Sequence, residues 1–206
     1  MYKPHSIHAR WAALLLALLT YPAFAQQQEL GLLLGRFASV DRSSGSTKVD
    51  LSSGTALQAN YGRRLAVAGP VAIYGEVHFL ANPQRTVASA SSAATRDVAT
   101  LFITPGIRVK FLPSRAISPY LVAGGGYANF EQSRNQLNGQ PNAAPRTVHR
   151  GVFDYGGGVD VKFWRFIGLR GEVRDFYSGS PAFNLAAISG RQHNPVASVG
   201  FVLKFK

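Results

Sequence analysis

From Leu30 onward the chain alternates apolar and polar residues with a period of two, and helical periodicity is hard to find anywhere. Eight segments carry the pattern: Leu30 to Val40, Ala56 to Arg64, Val71 to Ala81, Ala99 to Phe111, Ser118 to Gln132, Val152 to Phe163, Ile167 to Tyr177 and Val196 to Phe205. Each predicts a strand with two unlike faces. In the third, Val71, Ile73, Val77 and Phe79 oppose Tyr74, Glu76 and His78; in the seventh, Ile167, Leu169 and Val173 oppose Arg170, Glu172 and Arg174. The first is ambiguous, because LGLLLG is apolar on both faces. Pro105 lies inside the fourth, where a missing N–H donor predicts a bulge.

The connections alternate in length. Leu65 to Pro70, Leu112 to Ile117 and Trp164 to Phe166 are tight, whereas Asp41 to Thr55, Asn82 to Val98, Ser133 to Gly151 and Ser178 to Pro195 are long and rich in Ser, Asn, Gly, Ala and Pro. Eight antiparallel strands with both termini at one end put all four long links at the other. Most segments have the length a tilted strand needs to cross an outer membrane, about 9–11 residues.

The start of the chain says where such strands would be. Lys3 and Arg10 precede an apolar run from Trp11 to Leu19, and Ala23-Phe24-Ala25 gives a small-x-small cleavage pattern before Gln26. Residues 1–25 are therefore expected to be a secretory signal, and residues 26–206 one domain that works outside the cytoplasm. The run breaks at Thr20 and Pro22, short of the roughly 20 apolar residues a helical span requires. The 206-residue chain has no cysteine, which excludes disulfides and thiol chemistry. Its net charge is +12, with Lys3 and Arg10 in the leader, so anionic neighbours such as phospholipid or lipopolysaccharide are expected; secretion argues against nucleic acid.

A soluble β-sandwich shows the same alternation with its faces reversed. Mid-strand glycine runs at Gly124-Gly125-Gly126 and Gly156-Gly157-Gly158 favour a narrow barrel, since they permit bending and leave room for large neighbours. Tyr61, Tyr120, Phe111, Phe163, Trp164, Phe176 and Tyr177, near segment ends, are expected to form interfacial girdles. The reading is an all-β, eight-stranded, antiparallel up-and-down transmembrane barrel.

Three stretches, PYLVAGGGYANFE from Pro119, YGGGVDVKFWRFIGLRGEVRDFY from Tyr155 and the closing VASVGFVLKFK, give the chain a resemblance to the small OmpA/OmpX-type outer-membrane β-barrel family. The resemblance spans roughly the mature length and implies a bacterial outer-membrane location and insertion by the assembly machinery. It is specific for architecture and weak for activity. One departure is that Lys206 follows Phe205, where the family usually ends on an aromatic residue.

Eight strands leave an interior just wide enough for side chains. The inward set expected from alternation is Arg64, Glu76, His78, Arg108, Lys110, Glu131, Asp154, Asp160, Lys162, Arg170, Glu172, Arg174 and Lys204, which must pair because an isolated buried ion is costly. A salt-bridged plug is the first expectation and a narrow pore or small-ligand carrier the second. A lipid A-modifying enzyme comes third: the segments at His78, His149 and His193 lack the His-x-Ser pair of outer-membrane deacylases, and no catalytic, cofactor or metal site is assigned. The long connections carry net charges of 0, +1, +3 and +1, so Arg134, Arg146, Arg150 and Arg191 are candidate contacts to lipopolysaccharide phosphates. The expected role of this monomer is structural or adhesive.

Overall fold

The computed structural model describes residues 27–44 and 47–205. The expected leader and Lys206 lie outside the described residues. The elements are β1 (Gln28–Phe37), β2 (Val40–Ser44), β3 (Thr47–Leu51), β4 (Gly54–Ala68), β5 (Val71–Ser89), β6 (Asp97–Phe111), β7 (Ile117–Gln132), β8 (Thr147–Lys162), β9 (Ile167–Gly179), β10 (Arg191–Gln192) and β11 (Pro195–Phe205).

Eight of these strands close an antiparallel ring in the order β1, β4, β5, β6, β7, β8, β9, β11 and back to β1. Closure leaves no free edge, which is the condition for crossing hydrocarbon with strands. Stepping across paired residues from Gln28 leads through Arg63, Gly75, Ile107, Ala123, Tyr155 and Asp175 to Pro195. The Pro195 carbonyl accepts from Ala38 N at 2.9 Å, so the ring closes about ten residues along from its start, a stagger that tilts the strands steeply.

The exposure pattern is inverted relative to a water-soluble protein. Leu32, Leu34, Leu121, Val173, Val199 and Phe201 are each more than half exposed on the outer wall, while Arg108, Arg170 and Arg174 are the largest fully buried side chains. The wall therefore faces lipid and the lumen holds the charge. Tyr120 and Phe176, expected in the girdles, are instead buried inside; Tyr61, Phe111, Phe163 and Trp164 stay on the exterior.

Two local features depart from the sequence expectations, and one ambiguity is resolved. The long link from Asp41 to Thr55 contains a hairpin, β2 with β3, and β3 pairs with the far end of β5. Its short alternation, which buries Val49 and Leu51, is masked by flanking Ser and Gly. Pro105 sits without a bulge: β6 stays in register with β5 through the Val77–Pro105 pair, and also with β7 from Ile103–Tyr127 to Gly106–Gly124. The ladder to β7 simply opens opposite Gly125 and Gly126, which absorbs the missing donor. In β1, Leu30, Leu32 and Leu34 face outward and Glu29, Leu33 and Phe37 inward, which resolves its ambiguity.

Candidate functional site: the lumen and its loop cover

The short-turn half of the lumen is a continuous ion network. Glu29 of β1 receives Arg108 (2.8 Å), Lys110 (2.6 Å) and Arg170 (3.2 Å), and Asp160 receives Lys110 (2.6 Å) and Arg170 (2.7 Å). Above this group, Arg174 bonds Asp154 (2.7 Å), Glu76 (2.7 Å) and Glu172 (2.9 Å). Arg108 Nε, 3.2 Å from Glu76 Oε2, joins the two tiers. Tyr120 donates to Glu172 at 2.8 Å, and the Arg108 and Arg170 guanidinium groups lie over its ring at 5.4 and 4.9 Å. Every cation of the network meets at least one carboxylate, and every carboxylate but Asp154, which meets Arg174 alone, is shared or forked, which is what permits so many charges in a buried interior.

Glycines on the inner face make this packing possible. A Cβ at Gly62 would fall 2.5 Å from an Arg108 nitrogen, and one at Gly158 would fall 2.5 Å from the Tyr120 hydroxyl. The lumen is thus filled by large side chains lying against bare backbone.

The structure brings together eight of the thirteen expected interior residues: Glu76, Arg108, Lys110, Asp154, Asp160, Arg170, Glu172 and Arg174. Arg64 is half-buried at the short-turn mouth, where it donates to Gln27 Oε1 at 3.2 Å. His78 is fully buried above the ions, its ring 5.7 Å from that of Phe176. Glu131 does not belong to the set: it faces outward near the end of β7 and pairs with Arg146. Lys162, exposed, and Lys204, half-exposed, sit on the inner face but beyond the network, and neither forms an ion pair among the described residues. Glu29, which the sequence reading omitted because it precedes the expected first strand, is the hub of the lower tier.

The long-loop half of the lumen carries an aromatic and aliphatic layer. Phe102 stacks on Phe176 at 4.9 Å and meets Phe130 edge-on at 5.9 Å, and Phe37, Leu80 and Val196 complete the layer. Val49 and Leu51 from the hairpin and Phe183 and Ile188 from the last connection extend it beyond the ring. Arg85, turned inward by a register shift between Asn82 and Arg85, is buried here; it donates to the carbonyls of Ser52 and Ala38, each at 2.9 Å, and stacks 4.9 Å above Phe37.

The long connections are tied across this mouth. Thr95 N donates to Phe183 O at 3.0 Å, Leu137 N to Ala94 O at 2.9 Å and Arg42 to Ser189 O at 2.8 Å. On the hairpin, Lys48 is held charged above its ordinary range by hydrogen bonds to Asp50 and Asp41. Of the four candidate surface cations, Arg134 is exposed, Arg146 is occupied by Glu131, Arg150 donates to Ser180 O at 3.2 Å and Arg191 lies 5.5 Å over Tyr177. On the outer wall, Asp175 holds His193 Nδ1 at 2.5 Å and accepts from Tyr155 at 3.0 Å and from Asn194 N at 2.9 Å. Among the described residues no group of His, Cys, Asp or Glu is arranged to hold a metal ion.

Comparison with known proteins accords with this geometry. A family model described as an outer membrane protein beta-barrel domain matches residues 11–205. Among solved structures, OprG of Pseudomonas aeruginosa is similar with a TM-score of 0.59 at 16% identity, covering 88% of this chain and 96% of that one. Neisserial surface protein A gives 0.54 at 14% identity, covering 90% and 100%. The N-terminal barrel domain of Pseudomonas aeruginosa OprF gives 0.50 at 10% identity, covering 87% and 97%. At these identities the likeness is one of fold. No curated protein sequence matches the chain.

Proposed function

Because the chain belongs to the outer membrane protein beta-barrel family and resides in the bacterial outer membrane, we propose that it is a non-conducting barrel with a structural or adhesive role at the cell surface. The observation that supports this most is the filled lumen: a two-tier ion network below and an apolar layer above, with the loops bonded across the mouth. A pore or a small-ligand carrier needs an open axis, and here the axis is occupied by Arg108, Arg170, Arg174 and Phe102. The reading is also non-enzymatic. Asp175 and His193 form an acid–histidine pair on the lipid-facing side, but among the described residues no serine hydroxyl is bonded to that ring. The barrel is taken as a monomer, inserted by the assembly machinery and surrounded by lipopolysaccharide.

Planar-bilayer recordings test the reading directly. The wild-type barrel and Glu172→Ala are both expected to stay at the baseline, since the apolar layer still seals the variant. A strain lacking the chain is expected to lose detergent resistance or surface adhesion. Steady wild-type conductance together with an unchanged strain would replace this function with transport.

A further inference from the structure

The cations near the long-loop mouth differ in the partners they meet. Arg146 is paired with Glu131, Lys48 with Asp41 and Asp50, and Arg96 with Asp97. Arg42, Arg150 and Arg191 meet only carbonyls or a ring. Arg42 donates to the carbonyls of Ser189 and Arg191, Arg150 to Ser180 O and His149 O, and Arg191 lies over Tyr177. These three arrive from three different elements, β2, β8 and β10, and converge on one sector of the rim. Asp175, two residues before Tyr177, is already committed to His193, Tyr155 and Asn194.

Beneath them the outer wall is stripped of side chains. Gly151 and Gly179 floor a notch of about 360 Å³ that Phe153, Tyr177 and Arg191 wall in. Arg150 crosses the edge of this floor, its Cδ 2.6 Å from where a Cβ of Gly179 would lie. Below the notch Phe153 is half exposed, and Tyr155 continues the apolar face toward the middle of the membrane.

We propose that this sector is a binding site for a phosphorylated outer-leaflet glycolipid, with its phosphates on Arg42, Arg150 and Arg191 and an acyl chain laid in the notch against Phe153 and Tyr177. The arginines lack carboxylates because the lipid supplies the anion, and charge-assisted bonds from guanidinium to phosphate are the strong kind. At Gly179 the space of a side chain is taken by Arg150 itself, and at Gly151, where it is open, the first methylenes of the chain take it. Cations above a notch that has Phe153 and Tyr177 on its walls match an amphiphile, whereas a soluble polyanion would use the charge and leave those aromatic walls bare. This deepens the surface role proposed above and rests on the outer-membrane setting of that reading.

The test uses the full-length mature barrel refolded in detergent micelles, with folding checked by the shift in gel migration on heating. Binding is measured for bisphosphorylated lipid A and for the same lipid with both phosphates removed. The triple variant R42Q/R150Q/R191Q is expected to weaken binding of the phosphorylated lipid by at least about tenfold, and the charge-matched control R96Q/R134Q/R146Q by less than about twofold. Equal losses in the two triples would overturn the site, because a diffuse positive field would explain both. Gly151→Leu enters open space, so the barrel is expected to fold normally. It is expected to weaken lipid A binding while inorganic pyrophosphate still competes as in the wild type. If Gly151→Leu leaves lipid A binding unchanged and a soluble sulfated polysaccharide binds with the same dependence on the three arginines, the ligand is a soluble polyanion and the lipid site is wrong. Conductance is read separately: a leaky barrel that still binds lipid A keeps this site, and a silent barrel that ignores lipid A loses it alone.

Discussion

The two halves of the lumen fill the same narrow space by opposite means. The short-turn half uses ions supplied wholly by the ring, from Glu29 on β1 to Arg174 on β9, and is complete without any loop residue. The long-loop half uses aromatic and aliphatic side chains, and it is not complete within the ring: Val49, Leu51, Phe183 and Ile188 reach it from outside the eight strands. The difference teaches where each half gets its rigidity. Removing a single ion strands its partners in a low-dielectric interior, whereas removing one apolar side chain leaves a cavity that the adjoining loop can partly close.

The strongest way to break this comparison is Arg174→Met. Arg174 is the shared partner of Asp154, Glu76 and Glu172, so its loss leaves three carboxylates crowded without that cation. Urea unfolding in lipid vesicles is expected to show a loss of about 3–5 kcal/mol. A loss below about 1 kcal/mol would mean that the network is idle and the ring alone holds the fold. The apolar half is expected to yield differently. Phe183→Ala empties a fully buried position, but one held by a loop. The global loss is therefore expected near 1–2 kcal/mol, less than for an enclosed core ring, with faster amide exchange over residues 90–96 and 180–194. A full 3–5 kcal/mol with no local change would show that the loops and the ring form one cooperative unit.

The same comparison explains what could be read from the sequence. In β9 the charges at 170, 172 and 174 face Leu169 and Val173 across the period of two, so a charged lumen behind a lipid-facing wall is visible in the letters. The ring of eight strands follows, because it needs only alternation and the rhythm of long and short links. The apolar half has no such contrast. Phe102 points inward from a strand that is apolar outside as well, Phe130 lies beyond the glycine run of β7, and Phe176 stands near a segment end, where a girdle is expected. Glu29 was missed because the LGLLLG run beside it gives no parity to extend. Glu131 was misplaced because Gly124, Gly125 and Gly126 erase the count of faces along β7. Arg85 escaped because one additional residue between it and Asn82 resets the alternation, and only a tertiary register shift turns it inward. The convergence of Arg42, Arg150 and Arg191 is likewise set by loop pairing and has no signature in spacing.

The smallest expected effect sharpens the contrast from outside the barrel. Arg146 Nε donates to Glu131 at 2.8 Å, a distance like those in the lumen, yet their side chains are 51% and 46% exposed, against 2% for Arg174. Water and mobile ions compete for both partners, so Arg146→Gln is expected to change stability by about 0.2–1 kcal/mol. Raising the salt from 0.05 to about 1 M shortens the screening length to about 3 Å and is expected to erase even that difference. The effect of Arg174→Met should survive the same salt, because no ions reach a site enclosed by the ring and covered by Phe102 and Phe176. Unfolding curves for the two variants at both salt concentrations therefore separate contact distance from burial. If both effects fade together, ions penetrate the lumen and the seal attributed to its apolar half is not there.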